Sequence, residues 1–181
     1  EEALSIPTQA VFFETPSNPM QSLVDIAAVS ELAHAAGAKV VLDNVFATPI
    51  LQKPLQHGAD VVMYSATNHI DGQGRCLGGV ILASEEFIQT NIHQLMRQTG
   101  PALSPFNAWI MLKGLETLEL RMTRAGENAA KVCAYLRDHP KVEHVGYLGF
   151  LPEDSSQADI YRRHCTGAGS TFSLFLKGGE K

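Results

Sequence analysis

The sequence predicts an α/β fold: a mostly parallel sheet with flanking helices, then the start of a smaller α+β C-terminal domain. Three observations predict it. Short apolar runs at 10–13 (AVFF), 39–42 (KVVL), 61–64 (VVMY) and 80–83 (VILA) alternate with helical patterns, the order expected of strand-helix-strand units. Three of these runs pass directly into polar clusters, as strands do where they end at a ligand crevice. Beyond about Leu120 the pattern changes to a long helix followed by strand, helix and strand, which reads as a second unit.

The strand at 10–13 is followed by Glu14-Thr15-Pro16-Ser17-Asn18-Pro19, whose prolines forbid further helix or ladder and hold the polar side chains in a rigid turn. A helix is predicted over 24–36. Ile26, Val29, Leu32, Ala33 and Ala36 recur at helical spacing, Ser22 or Asp25 sits at the amino end, and Gly37 supplies the stop. KVVL then ends on Asp43-Asn44, and a right-handed parallel crossover is the expected connection. Residues 49–57 make a short crossover, with Pro54 suited to a first helical turn and Gly58 to its end. After the third strand and a glycine-rich loop, VILA is the fourth strand. Ser84 caps the next helix, whose Ile88, Ile92, Leu95 and Met96 face one way, and Gly100-Pro101 ends it.

Ser104-Pro105 opens a helical pattern that runs to about Asp138, with a break expected near 114–117 and Thr117 capping the second part. The second part presents Leu118, Met122, Ala125, Ala129, Val132 and Leu136, and the aliphatic and methionine stripe over 106–122 is read as packing. His139-Pro140 stops it. Strands at 142–147 and 171–176 with a helix at 156–164 complete the pattern, giving domains 1–120 and 121–181. Both ends read as cut.

At 181 residues the chain can bury one sizeable core or one core plus part of a second. A net charge of −5 with scattered Lys and Arg argues against a nucleic-acid surface, and no apolar run is long enough to span a membrane. Cys76, Cys133 and Cys165 are odd in number and lack CxxC spacing, which favours free thiols in a reducing, cytoplasmic setting over disulfides or zinc. His139 and His144 lack ligand spacing, so no metal site is expected. Gly72, Gly74 and Gly78 precede a strand, and a dinucleotide loop would need a helix there.

The stretch 61–79, VVMYSATNHIDGQGRCLGG, places Ser65 and Thr67 at a strand end, where hydroxyls can meet an anion or simply form a polar strand exit. With its SATN segment it resembles the cofactor-lysine segment of the pyridoxal phosphate enzymes of cysteine and methionine metabolism, whose pattern is Ser-Ala-Thr-Lys. The resemblance covers nearly the whole chain and implies a fold-type-I transferase, matching the middle and later part of a member about twice as long.

Asp43 ends KVVL, where a partly buried carboxylate is costly unless a cation or several donors face it; otherwise it caps the next turn through its own backbone. By the resemblance, Asp43 pairs with the protonated pyridine nitrogen of pyridoxal 5'-phosphate, Asn18 hydrogen-bonds its ring hydroxyl, and Ser65 and Thr67 contact its phosphate. Position 68, which in the family is the lysine that forms an imine with the cofactor aldehyde and acts as general base, is Asn68. A carboxamide nitrogen is not a usable amine nucleophile, so this chain is expected to be inactive or nearly so. Arg75 is a candidate pocket residue, and Arg97 a solvated one.

Within the family, the HIDGQGRCLGG continuation resembles the branch that replaces the γ-substituent of O-succinylhomoserine with sulfide, giving homocysteine and succinate in methionine biosynthesis. The resemblance implies a small amino-acid substrate and a homo-oligomer, dimer or tetramer. Cystathionine γ-synthase and γ-lyase activities are alternatives within the family. From another class, a non-catalytic remnant that acts only in self-association is the alternative, driven by an open sheet edge and apolar faces.

Overall fold

The computed structural model describes residues 2–179 of the chain. Strands β1 (Ala10–Glu14), β2 (Lys39–Asp43) and β3 (Val61–Ser65) are parallel neighbours in that order. β4 (Gly79–Ala83) follows β3 after the glycine loop turns the chain back, so it pairs antiparallel at the sheet edge.

Helix α1 (Ile26–Ala35) covers one face of this sheet. Asp25 caps it, its carboxylate accepting from the Ala28 amide at 3.2 Å. The predicted start at Val24 is two residues early, because the Val24 amide is taken by the buried Thr15 hydroxyl at 3.0 Å. Ile26 and Ala33 of α1 join Val40 and Leu42 of β2 and Val62 and Tyr64 of β3 in the first core. The short helix α2 (Thr48–Leu51) and a 3-10 turn over Pro54–His57 complete the crossover to β3, the turn ending at Gly58 with φ +99°.

The segment after β4 departs from expectation. Ser84 does cap it, through the Phe87 amide at 3.2 Å. The helix is then interrupted: α3 (Glu85–Phe87) passes into a π-helical stretch over Ile88–His93 and then into α4 (Gln94–Thr99). The wider π turn rotates the helix beyond it: Ile88 and Ile92 are half-buried, whereas Leu95 and Met96 lie exposed.

Helices α5 (Pro105–Leu115) and α6 (Leu118–Arg137) meet at the predicted break. The apolar stripe is only half packing: Ile110, Met111, Leu118 and Met122 are buried, whereas Phe106, Trp109, Leu112, Leu115 and Leu120 are exposed. Thr117 occupies the cap position of α6 without capping it; its hydroxyl accepts from Arg121 Nε at 3.1 Å. Further along α6, Ala129 and Cys133 are buried and Val132 faces outward.

The second sheet pairs β5 (Val142–Gly146) with β6 (Ser173–Leu176), antiparallel, and α7 (Ser156–His164) lies between them in sequence. Ala129 and Cys133 of α6 pack with Val142, Val145 and Tyr147 as a separate core. Polar side chains tie this part to the first: the Gln157 amide both accepts from Leu23 N at 2.6 Å and donates to Leu23 O at 2.8 Å, while Arg163 and His164 reach Asp25 at 2.8 and 3.1 Å. Among the described residues no helix is long and apolar enough to cross a membrane, and no group of three or more His, Cys, Asp or Glu is placed to hold a metal ion.

Candidate active site

Parallel pairing brings three strand ends together. Glu14 lies in register with Asp43, and Asp43 with Met63, so the segments carrying Asn18, Asp43 and Ser65 leave the sheet side by side along one edge. The turn after β1 is closed by Ser17 N to Ser22 O at 2.9 Å and Ser22 N to Ser17 Oγ at 3.1 Å. Asn18 sits in it, its backbone amide donating to Glu14 Oε2 at 2.9 Å.

Asp43 is half-buried. One carboxylate oxygen accepts from the Val45 amide at 3.0 Å, the turn-capping bond that its position alone predicts. Asp43 enters no ion pair among the described residues, and its second oxygen meets no protein donor there. The next residue, Asn44, fixes the strand end. It is fully buried, and its side-chain amide donates to the carbonyls of Thr48 at 3.2 Å and Gln52 at 3.1 Å and lies 3.0 Å from the Tyr64 hydroxyl. Burial pushes the Tyr64 hydroxyl above its ordinary pKa, so it stays neutral. Nothing in the local sequence marks Asn44 as different from any strand-end asparagine; its partners lie up to twenty residues away.

The third strand end is the most tightly built. Ser65 is exposed with its hydroxyl toward no protein partner among the described residues, but the Thr67 hydroxyl is turned back onto Gly78, accepting from Gly78 N at 3.2 Å and reaching Gly78 O at 3.4 Å. Asn68 is exposed within a compact turn, where Asp71 N donates to Ala66 O at 2.8 Å and Gly72 N to Asn68 O at 2.9 Å. Arg75 is tied to Asp71. Its Nε donates to the buried Asp71 carboxylate at 2.7 Å and its backbone amide to the other oxygen at 2.6 Å. Burial pushes the Asp71 carboxyl up, yet the Arg75 amide and guanidinium outweigh it and hold the group below the usual carboxylate range. Arg97 is exposed, as expected.

The edge is an open rim. A cavity of about 550 Å³ lies at the opposite, amino-terminal edge of the sheet, between Lys39, Asp60, Ser84 and Glu86, and shares no residue with the strand-end cluster.

A carboxylate without a cation, an asparagine on the neighbouring turn and the Ser65 hydroxyl at the next strand end are groups of the kind that suit a protonated pyridine bearing a phosphate, while the Thr67 hydroxyl is engaged by Gly78. At position 68, Asn68 offers no amine to bond an aldehyde. The fold is of the α/β class, with polar strand ends set along one edge of a mostly parallel sheet. The chain belongs to the family of Cys/Met metabolism PLP-dependent enzymes, which it matches over residues 1–181.

It is 60% identical over 176 residues to an O-succinylhomoserine sulfhydrylase of Mycobacterium tuberculosis, covering 97% of this chain and 43% of that one. A protein of the same description from Pseudomonas aeruginosa is 48% identical over 180 residues, 99% of this chain and 44% of that one. Among solved structures, a methionine gamma lyase from Micromonospora echinospora superposes with a TM-score of 0.93 at 36% identity, covering 98% of this chain and 48% of that chain. The chain thus spans less than half the length of these relatives.

Proposed function

We propose that the chain belongs to the catalytic machinery of an enzyme that replaces the γ-substituent of O-succinylhomoserine with sulfide, giving homocysteine and succinate. The observation that carries this reading is the 60% identity to the mycobacterial sulfhydrylase, over a stretch that includes the HIDGQGRCLGG loop. Bound pyridoxal phosphate supplies an electron sink beside the substrate α-carbon. In this reading Asp43 keeps the proton on the ring nitrogen, Asn18 meets the ring hydroxyl, and Ser65 and Thr67 meet the phosphate. Asn68 neither bonds the aldehyde nor takes a proton from substrate, so the chain as it stands turns over little or nothing. Residues 1–120 serve as the cofactor part and 121–181 as the start of a smaller domain, a division supported by the two separate cores. Cystathionine gamma-synthase and gamma-lyase chemistry, known for relatives at 39% identity, are the neighbouring alternatives.

A second reading, self-association without catalysis, is favoured by the exposed face of α5, where Phe106, Trp109 and Leu112 are 67%, 55% and 61% exposed. One experiment separates them. Asn68→Lys is introduced at the full length of the relatives, and absorbance with added pyridoxal phosphate is recorded before homocysteine release from O-succinylhomoserine and sulfide is assayed. Release supports the first reading, cleavage of cystathionine instead moves the activity to the lyases, and no cofactor absorbance leaves self-association.

A further inference from the structure

The turn that carries position 68 is held from outside by one side chain. Arg121 is the fourth residue of α6, and its guanidinium reaches across to three backbone carbonyls. Nη1 donates to His69 O at 2.7 Å, and Nη2 donates to Ile70 O at 3.2 Å and Gly114 O at 2.8 Å, while Nε donates to the Thr117 hydroxyl at 3.1 Å. The His69 and Ile70 carbonyls need such a donor, whereas Gly114 O also accepts from Thr117 N at 3.3 Å. Within the turn, the Ser65, Ala66 and Asn68 carbonyls accept from Asn68, Asp71 and Gly72, which leaves those of His69 and Ile70 pointing out of its end, and Gly114 lies in the last turn of α5. A single cation thus satisfies the open end of the turn and ties it to the carboxyl end of α5, where a cation is favoured.

The glycines around it are shaped by the same contact. A Cβ on Gly114 would overlap the Ile70 carbonyl oxygen, and one on Gly72, at φ +69°, would overlap the Arg121 guanidinium. The turn is therefore pressed between α5 on one side and Arg121 on the other. Lysine cannot reproduce this. Its three donors radiate from one point, whereas the planar guanidinium presents donors at fixed, separated positions.

We propose that Arg121 is a positioning residue for the cofactor site: it sets the backbone of the turn that carries position 68 and so fixes where that side chain and the neighbouring Thr67 and Ser65 present themselves. The inference rests on the cofactor reading above for its consequence, but not for its geometry. If the turn adopts its binding conformation in only a fraction of molecules, the apparent Kd for the cofactor rises by the inverse of that fraction.

The test compares wild type, Arg121→Met, Arg121→Lys and Gly114→Ala, by amide hydrogen exchange without cofactor and by titration with pyridoxal phosphate followed by absorbance. In Arg121→Met, exchange of the Asp71 and Gly72 amides accelerates about tenfold or more relative to the β2 and β3 amides, and the Kd rises about tenfold. Arg121→Lys recovers part of both. Gly114→Ala, which displaces the Ile70 carbonyl with Arg121 intact, loosens the same two amides while leaving α5 helical, so the inference stays testable if Arg121→Met does not fold. Unchanged exchange at Asp71 and Gly72 in Arg121→Met overturns the clamp. Faster exchange with an unchanged Kd overturns its role toward the cofactor. A wild-type chain that binds no pyridoxal phosphate overturns the cofactor reading itself, and the exchange measurement tells that failure apart because it needs no cofactor.

Discussion

Asp25 joins the amino end of α1 to the carboxyl end of α7, and replacing it with Asn isolates the charge in that link. Its carboxylate accepts from Arg163 at 2.8 Å and from His164 at 3.1 Å while also capping α1 through Ala28. The Arg163 guanidinium hydrogen bond, aided by the Ala28 amide and His164 and opposed by partial burial, lowers its pKa from 3.8 to about 2. A depression of that size corresponds to about 2 kcal/mol of folding stability at neutral pH. The side chain is 25% exposed, and solvent screening reduces this to roughly 1–2 kcal/mol. The depressed pKa sets the sign. The unfolded carboxylate takes a proton below about pH 3.8 and the folded one resists until about pH 2, so the contribution is complete above the first value and disappears as pH falls through the second. Asn keeps a capping oxygen, so Asp25→Asn loses mainly the charge. Urea unfolding at pH 7 is expected to show a midpoint lower by roughly 0.5–1 M for an m-value of about 2 kcal/mol/M. At pH 3 the difference shrinks to about half. Equal midpoints at pH 7, or a gap that does not change between pH 7 and pH 3, would refute the argument.

Burial raises the Cys165 thiol to about 11, so at pH 8 it is expected to alkylate about a hundredfold more slowly than a free cysteine; peptide mass mapping after iodoacetamide treatment, native against urea-unfolded, reads this directly. Leu42→Ala removes a fully buried side chain from the middle of the parallel sheet and is expected to cost about 2–4 kcal/mol. For a chain of this size that lowers Tm by roughly 5–15 °C in a thermal melt followed by circular dichroism.

Much of the fold is legible in the sequence because the signals are local. The apolar runs, the Pro54 and Gly58 boundaries and the Ser84 and Ser104 caps depend on residues within one turn of each other, and the structure places each where its neighbours dictate. The pyridoxal phosphate family is also legible, since SATN and its glycine loop are contiguous. Elements whose faces depend on distant partners are not. The spacing of Leu95 and Met96 points to a buried face that the π turn rotates away, and α5 looks equally apolar all round although only its Ile110 and Met111 side is buried.

By itself the sequence determined the order of strands and helices, the strand-end polar residues and the missing amine at position 68, because backbone preference and side-chain chemistry are properties of neighbouring residues. Only the tertiary structure decided that Thr67 turns its hydroxyl onto Gly78, that Asn44 anchors the end of β2, and that Arg121 holds the turn around Asn68 from some fifty residues away. A carbonyl left open at the end of a turn accepts whichever donor folding brings to it, and no local pattern records which one that is.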